Sequence, residues 1–406
     1  MSPSPASPMA PWVIALVLLS NTGGAAAATL GEAVTAAYER HPERALVDAR
    51  QGLAAALENR ADQPFAADPA FNLRYDTDAV GAGDGFREWE GGINLPLWWP
   101  GQRAAQTQEA DRTRDTAAAL AAAQRLEVAG EVRQRLWAVA LARGTHAEAG
   151  RALDSARGLE RDVTRRVAAG ELARQDLLLA RQETAAREDA LEQAANRLEQ
   201  AEGRFQRYTG MDEIPAAHAE MVSQDRELAD SHPRLVLAAT ALERTRAQRR
   251  RVAAERRAPA DLWLGGVNSR DARGQGFDSS IAVEITVPFG MGAHNAPALA
   301  AAESEVTRAA AEARSLRRSL RGTAEAAALE LERTRVALDR ARQRQDLAAE
   351  FLDLRRRAFE LGETDLVRLL QARADAVTAH GQLETRRLEA GQAAARLNQA
   401  LGVIPR

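Results

Sequence analysis

The chain has 406 residues, of which 27% are charged and 4% are aromatic, and its formal net charge is −3. Charges this close to balance give no indication of a nucleic-acid-binding surface, so the sequence predicts no nucleic-acid partner. The absence of cysteine excludes disulfides, thiolate metal sites, cysteine nucleophiles and a lipid-anchored N-terminal cysteine.

The N-terminus has the pattern of an export signal. Trp12–Leu19 is a short apolar run, and small residues follow it up to Ala28. An A-x-A motif at Ala26 and Ala28 predicts cleavage before Thr29, so residues 1–28 are interpreted as a signal peptide. The apolar run is shorter than the roughly 20 residues that a membrane-spanning helix needs, so we expect export and not a permanent anchor.

The rest of the sequence consists of two similar copies, which indicates an internal duplication. Short motifs of the first half recur in the second half in the same order, at an offset of about 190 residues. The recurring motifs are His41-Pro42 with His232-Pro233, Ile93-Asn94-Leu95-Pro96-Leu97 with Ile285-Thr286-Val287-Pro288-Phe289, Gly170-Glu171 with Gly362-Glu363, and Gly210 with Gly402. We therefore interpret 29–215 as a first structural repeat and 216–406 as a second.

Each repeat has the same predicted order of elements. A helix comes first (30–60 and 233–257), two strands joined by a Gly-rich turn follow (70–80 with 86–98, and 261–271 with 277–289), and a long helix comes next (102–167 and 299–361). A Gly-Glu pair ends each long helix, and a second helix returns to about residues 208 and 401. Thr364 is the expected N-cap of the second returning helix. The predicted fold class is mainly α with a small β part.

The strands alternate between apolar and polar residues, which predicts a sheet with two different faces. One face is expected to carry Phe71, Leu73, Tyr75, Trp89, Ile93, Leu95, Leu97, Trp263, Val267, Ile281, Val283, Ile285 and Val287. The other is expected to line a water-filled lumen with Arg74, Asp76, Glu88, Glu90, Arg270, Asp278 and Glu284, and Leu264 is an exception on this polar face. Runs of about ten residues with this pattern are typical of transmembrane β-barrels. Trp98, Trp99 and Phe289 fit an aromatic girdle at a membrane interface.

Ordinary hairpins packed on helices in a soluble protein would show the same alternation, so that alternative stays open here. If the strands do span a membrane, four strands per chain are too few, because barrels start at eight strands. Two chains would give eight strands and a filled barrel, whereas three would give twelve strands and leave room for a pore.

The two long helical runs contain no proline and carry narrow apolar stripes, as coiled-coil packing requires. At 1.5 Å per residue, about 65 residues span roughly 100 Å, which is too long for a compact domain. A periplasmic coiled-coil scaffold of the cell envelope, without channel activity, is the alternative function that the helices leave open. It does not account for the export signal and the paired hairpins together.

In their order and duplication, these motifs resemble the TolC outer-membrane efflux family over essentially the whole mature chain. The resemblance is carried by Thr29-Leu30-Gly31-Glu32-Ala33, the two His-Pro pairs, LPLWWPGQR from Leu95 to Arg103, VPFG from Val287 to Gly290, and GELARQDLLLA and GETDLVRLLQA at the helical turns. It implies a homotrimer with a twelve-stranded outer-membrane β-barrel and a periplasmic α-helical barrel. The implied function is the exit duct of a tripartite RND-type efflux system or a type I secretion system. A periplasmic adaptor and an inner-membrane pump are the implied partners, and the heavy-metal branch is the most similar subtype.

The resemblance also assigns the helix-to-helix turns to a periplasmic tip that contacts the adaptor. The residues concerned are Gly170, Glu171, Leu172, Asp176, Gly362, Glu363, Thr364, Asp365 and Arg368. Asp176, Phe359 and Arg368 are the expected constriction of this tip. Phe359 stands where TolC has a gating tyrosine, and Arg368 and Gln371 stand where it has acidic residues, so we do not expect a TolC-like acidic ring.

No catalytic or metal-binding constellation is recognisable in the sequence. The six histidines are scattered without ligand spacing, and His41 and His232 fit a capping or packing role before proline. The Gly clusters near 81–85 and 274–276 lie between strands, so they predict hairpin turns and not phosphate loops. The sequence therefore predicts a protein that is not an enzyme and needs no metal or cofactor.

Overall fold

The computed structural model describes residues 28–81, 83–216, 219–222, 227–289 and 292–405. The predicted signal peptide lies outside these residues apart from Ala28, and so do Gly290 of the VPFG motif and His218. The elements of the first half are α1 (Leu30–Glu39), α2 (Arg44–Asp62), β1 (Ala70–Thr77), β2 (Arg87–Leu97), α3 (Gln102–Ala168) and α4 (Arg174–Thr209). Those of the second half are α5 (Pro233–Ala254), β3 (Ala260–Arg270), β4 (Asp278–Thr286), a 3-10 turn (Ala293–Asn295), α6 (Ala296–Glu360) and α7 (Leu366–Ala400).

The fold is mainly helical with one small sheet, as predicted, and the two long helices end close to their predicted limits. The single helix predicted at 30–60 is wrong, because the chain breaks between α1 and α2. Pro42 at this break has no N–H to donate. The backbone N–H of Glu43 bonds instead to Nδ1 of His41 at 3.3 Å, so the segment forms two helices.

All four strands form one antiparallel sheet in the order β1-β2-β3-β4. β2 and β3 pair from Arg87 opposite Arg270 to Leu97 opposite Ala260, so the two halves of the chain share the sheet. β1 is shorter than predicted, because the Asp78 carboxylate accepts a hydrogen bond from the Gly85 N–H at 2.8 Å and begins the turn. β1 and β4 are the sheet edges, and no strand in the described part of the chain pairs with their outer sides.

The helix α3 lies at the centre of the helical part and packs against α4, α5, α2 and α7. The largest core cluster joins it to α1 and α4, with Leu136 and Phe205 fully buried between them. The helix α6 packs against α7 and α5, around a smaller cluster that contains Leu331 and Leu397. Taking the described ranges together, no helix is both long and apolar enough to cross a membrane.

A buried ion pair, which no sequence pattern predicts, holds Glu220 and its neighbour Met221 between the two halves of the chain. The guanidinium of Arg133, on α3, donates to the Glu220 carboxylate through Nε at 2.8 Å and Nη2 at 2.6 Å, and its side chain is 4% exposed. Asn398, on α7, donates to the carbonyl oxygen of Met221 at 2.9 Å. The segment around Glu220 is thereby held against both halves, and removal of one charge would leave its partner buried and unpaired.

Candidate functional site

One face of the sheet presents apolar side chains to the exterior. The register places the first apolar residues of β1 opposite those of β2, for example Phe71 opposite Ile93 and Tyr75 opposite Trp89. The two aromatic rings of the second pair are in contact, with centroids 4.4 Å apart. Exposure on this face is large, at 73% for Phe71, 62% for Leu73, 90% for Ile281, 63% for Val283 and 63% for Ile285. Contiguous apolar surface of this kind requires a non-aqueous partner.

The opposite face carries charged and polar side chains, and we call it the acidic face. The register places Asp76 opposite Glu88 and Arg74 opposite Glu90. The guanidinium of Arg74 lies 2.7 Å from the Asp76 carboxylate and 4.0 Å from that of Glu90, so it offsets part of the negative charge. Asp278 and Glu284 of β4 lie opposite Ser269 and Trp263 of β3 and extend the same face.

The face assignment predicted for β3 is wrong. Trp263 lies opposite Asn94 and Val267 opposite Glu90, so both are on the acidic face, whereas Leu264 lies opposite Ile93 on the apolar face. Arg270, predicted for the lumen, is opposite Arg87 and shares the apolar side, where its guanidinium carbon is 5.2 Å from the Phe277 ring centroid. β3 carries apolar residues at both even and odd positions, so its alternation alone does not determine which of its residues lie on the apolar face.

The Trp263 ring lies on the acidic face, and two glycines leave the space that it occupies. A Cβ atom added at Gly92 would lie 2.6 Å from Cε2 of the indole, and one added at Gly265 would lie 2.3 Å from Cζ2. The register places Gly92 opposite Gly265, so the indole lies over the backbone of two residues that have no side chain. The Gly-Gly pairs at 91–92 and 265–266 are the sequence signal for this close approach.

The residues predicted as an aromatic girdle lie at the end of the sheet that joins the helices. The indole N–H of Trp98 donates to the carbonyl oxygen of Gln63 at 3.0 Å, and that of Trp99 donates to the carbonyl oxygen of Ala258 at 2.8 Å. Phe289 is 95% exposed after β4. The two tryptophans therefore tie the base of the sheet to the segments that follow α2 and α5.

The far ends of the long helices have the same backbone geometry in both halves. Gly170 and Gly362 both have φ of +78°, which favours glycine. The N–H of Glu171 donates to the carbonyl oxygen of Arg166 at 2.9 Å, and that of Glu363 to Ala358 at 2.9 Å, which closes a Schellman motif at each end. We call the two turns together the tip.

The two returning helices are capped differently. Asp365 is the N-cap of α7 and accepts a hydrogen bond from the Arg368 N–H at 2.8 Å. The predicted cap Thr364 lies one residue too early, because α7 begins at Leu366. In α4 the carboxylate is at the third position instead, where Asp176 accepts from the Ala173 N–H at 3.2 Å. Each turn thus holds one half of a capping box.

Phe359 is 5% exposed and lies in a core cluster within the tip. Its neighbours come from the three other helices that meet there: Leu159, Val163, Ala180, Leu366 and Leu369. The guanidinium carbon of Arg166 lies 4.8 Å from the ring centroid. The prediction that Phe359 lines a constriction is therefore wrong, because the apolar ring fills the space between the two helix pairs. Arg368 is exposed and Asp176 half-buried.

One long apolar stripe on α6 and its C-cap residue, Leu361, has no cover in the part of the chain that the structure describes. Its members recur at helical spacing on one side of the helix and are exposed by 52% (Leu329), 50% (Val336), 67% (Leu347), 45% (Phe351), 57% (Leu354) and 74% (Leu361). We call this set the α6 stripe. Water-exposed leucine and phenylalanine that recur on one side of a helix are typical of a surface that packs against another chain.

The histidines form no site of their own. In the residues that the structure describes, no three His, Asp or Glu side chains come together where they could hold a metal ion. His232 is 2% exposed and caps α5, with Nδ1 accepting from the Arg234 N–H at 3.2 Å. Burial lowers the pKa of its imidazole, and the positive charge of Arg234 lowers it further.

Comparison with known proteins gives structural matches only. No family model matches the sequence, and no curated protein sequence matches it. Similar solved structures include the CmeC outer membrane channel of Campylobacter jejuni, at 15% identity and TM-score 0.68, covering 99% of this chain and 94% of that one. The outer membrane protein VceC of Vibrio cholerae matches at 16% identity and TM-score 0.67, covering 92% and 96%.

A third match is the open state of the MtrE outer membrane channel of Neisseria gonorrhoeae, at 17% identity and TM-score 0.68, covering 92% of this chain and 89% of that one. In all three, the match covers most of the length of both chains. Identities this low establish the fold and not the activity. The chain has the fold of these outer membrane channels.

Proposed function

We propose that this chain is an exit duct of the outer membrane, which passively conducts substrates delivered by a pump and adaptor in the periplasm. The observation that carries the proposal is the two-faced sheet, which is apolar and exposed on one side and acidic on the other, at one end of helices about 100 Å long. A helical scaffold has no need for such a sheet, and we propose no catalytic role.

The apolar face fits contact with lipid, and the acidic face fits contact with water. Lipid-facing and lumen-facing residues alternate along the strands of membrane barrels, as they do in β1, β2 and β4. The proposed lumen residues are Arg74, Asp76, Glu88, Glu90, Asp278 and Glu284, with Trp263 added and Arg270 removed. Carboxylates at these positions would keep the pore hydrated and favour cations modestly.

The sheet edges and the α6 stripe support the proposal of a homotrimer. No strand in the described part of the chain pairs with the outer sides of β1 and β4, and backbone groups without partners are costly in lipid. Four strands from each of three chains would make a closed twelve-stranded barrel. The α6 stripe, Leu329 to Leu361, runs along the helical part and would be covered by the neighbouring chain.

The tip is the part that we propose to contact a periplasmic adaptor protein. Its exposed residues include Glu171, Glu363, Asp365 and Arg368, so the surface offered is polar and charged. Phe359 and its cluster give these turns a rigid base. The adaptor would link the duct to an inner-membrane pump, which would select the substrate.

The test is planar-bilayer conductance of the purified protein, with Glu88, Glu90 and Glu284 replaced together by lysine. Discrete channels with cation preference are expected for the unmodified protein, and the triple lysine variant should reverse that preference. The matched glutamine triple variant removes the charges without reversing them and should give an intermediate selectivity. Unchanged selectivity in the lysine variant would refute the lumen assignment. A protein that gives no channels at all would leave the coiled-coil scaffold as the better account.

A further inference from the structure

An arginine pair lies where the sheet meets the helices. Arg256 and Arg257 come between the end of α5 and the start of β3, and both side chains are exposed. The guanidinium carbon of Arg257 lies 5.9 Å from the centroid of the Trp99 ring. The backbone carbonyl of Arg257 accepts a hydrogen bond from Gln102 at 3.5 Å, which holds this segment against the start of α3.

These two arginines have no acidic partner, unlike Arg246 and Arg249 of the preceding helix α5. Arg246 pairs with Glu243 at 2.7 Å and Arg249 with Glu303 at 3.0 Å. Considering the described residues only, no ion pair involves Arg256 or Arg257. Exposed guanidinium groups on two consecutive residues, without carboxylates to neutralise them, attract an anion.

The position of the pair relative to the apolar face indicates which anion. Trp99 lies two residues beyond Leu97, the last residue of β2, whose side chain belongs to the apolar face. The Arg257 guanidinium over Trp99 therefore lies beside the end of this strand, at the height where the exposed apolar surface ends. Tryptophan and arginine at the rim of an apolar band are typical of the headgroup region of a membrane.

The other half of the molecule shows that the arginines are not required by the joint itself. Pro69-Ala70 at the start of β1 corresponds to Pro259-Ala260 at the start of β3, and the preceding residues are Ala66 and Ala67 where the second half has arginines. Trp98 makes the same kind of bond there, to Gln63, and the cation at that joint is Arg103 of α3, which donates to the carbonyl oxygens of Ala61 and Asp62. An arginine pair at these two positions is thus particular to the second half.

We propose that Arg256, Arg257 and Trp99 form a binding site for the phosphate of an anionic phospholipid in the membrane leaflet on the helical side. The proposal rests on the proposed function, because it requires that the apolar face is embedded in lipid. The guanidinium groups bind the phosphate, and the Trp99 ring packs against the upper part of the acyl chains. The occupant would hold the sheet at a fixed depth in the membrane.

The test is native mass spectrometry of the purified protein with equimolar phosphatidylglycerol and phosphatidylcholine. The unmodified protein should retain phosphatidylglycerol preferentially. The variant with Arg256→Gln and Arg257→Gln should lose that preference by about fivefold for each arginine removed. The matched control is Arg246→Gln with Arg249→Gln, both on α5. It removes the same number of charges and should keep the preference for phosphatidylglycerol.

An unchanged preference in the Arg256 and Arg257 double variant would overturn the proposal, and so would an equal loss of preference in the control variant. Displacement of the lipid by millimolar inorganic phosphate would also overturn it, because that result would indicate a site for free phosphate. Conductance of the same preparations separates this proposal from the function. Channels without any lipid preference would refute the lipid site and leave the duct intact, whereas lipid retention without channels would refute the duct.

Discussion

The helices α3 and α6 occupy equivalent places in the two halves of the chain and are almost equally long, at 67 and 65 residues, but they are buried very differently. α3 has 23 buried residues along its length and α6 has six, and of the two only α6 carries a stripe of exposed apolar side chains. The difference arises because α3 is enclosed by α1, α2, α4, α5 and α7, whereas α6 contacts mainly α7 and α5.

This comparison shows that the two halves have different tasks although their elements follow the same order. The first half supplies the protomer with its core, centred on α3. The second half supplies the exposed α6 stripe, through which we propose that one protomer meets the next. Mutations in the two helices should therefore fail in different ways, one by unfolding and the other by dissociation.

The largest expected effect comes from placing a charge in the α6 stripe. Leu347→Arg would bury an unpaired guanidinium in the proposed contact between chains, which costs several kcal/mol for each copy. We expect dissociation to a folded monomer, measured as mass in detergent by light scattering, with helicity by circular dichroism unchanged. Ala349→Arg, two residues away and on the other side of the helix, is the control and should remain assembled. Dissociation of both variants to the same extent would contradict the prediction that the α6 stripe forms the contact between chains.

A core mutation in the first half should act on folding instead of assembly. Phe205→Ala opens a cavity beside Leu136 and should lower the free energy of unfolding by about 3–5 kcal/mol. The measurement is denaturant unfolding in the monomeric Leu347→Arg background, so that dissociation does not contribute. Leu329→Ala in the same background removes an exposed side chain and should change the free energy by less than about 0.5 kcal/mol. Equal losses would mean that α6 is as well packed within the protomer as α3.

The tip offers a smaller test, because α3 and α6 end with the same backbone geometry. Asp365→Ala removes the N-cap of α7 and should cost about 1 kcal/mol locally. Amide hydrogen exchange at 366–368 should then be faster by about fivefold. Asp176→Ala is the matched change in the other turn and should accelerate exchange of the Ala173 amide. If Asp365→Ala leaves exchange unchanged, the cap does not stabilise the turn.

The smallest expected effect is a pH dependence at the start of α5. The pKa of His232 is lowered in the folded protein from 6.5, so below that pH the unfolded chain binds more protons than the folded one. Stability is therefore retained above pH 6.5 and is lost as the pH falls toward the folded pKa. His232→Asn keeps a capping side chain but cannot titrate, so its stability should fall less over this range.

His41→Asn is the control at the equivalent position in the first half, where the histidine is less buried. Urea unfolding at several pH values should show wild-type behaviour for His41→Asn and a flatter profile for His232→Asn. Identical profiles for all three proteins would contradict the role assigned to His232.

Much of the fold is predictable from the sequence because its signals are local. Gly170 and Gly362 end the long helices, and their positive φ explains why glycine is there. Alternation placed the residues of β1, β2 and β4 on the correct faces. The signal for the break at Pro42 is equally local, but the helical periodicity continues across it and therefore predicts a single helix.

The rest depends on contacts between residues far apart in the chain. Trp263 and Arg270 were assigned to the wrong faces because the position of β3 follows from its pairing with β2 and from the Gly92–Gly265 contact. Phe359 is buried because Leu159 and Val163 of another helix pair cover it. The different burial of α3 and α6 likewise has no local signal, since both helices carry apolar stripes.

The central claim is that the α6 stripe and the open edges of the sheet join three copies of this chain into one duct. Native mass spectrometry of the purified full-length protein in detergent tests it most directly. We predict a mass of three chains, and a shift to one chain in Leu347→Arg. A mass of a single chain for the unmodified protein, at micromolar concentration and with its helices intact, would contradict the account.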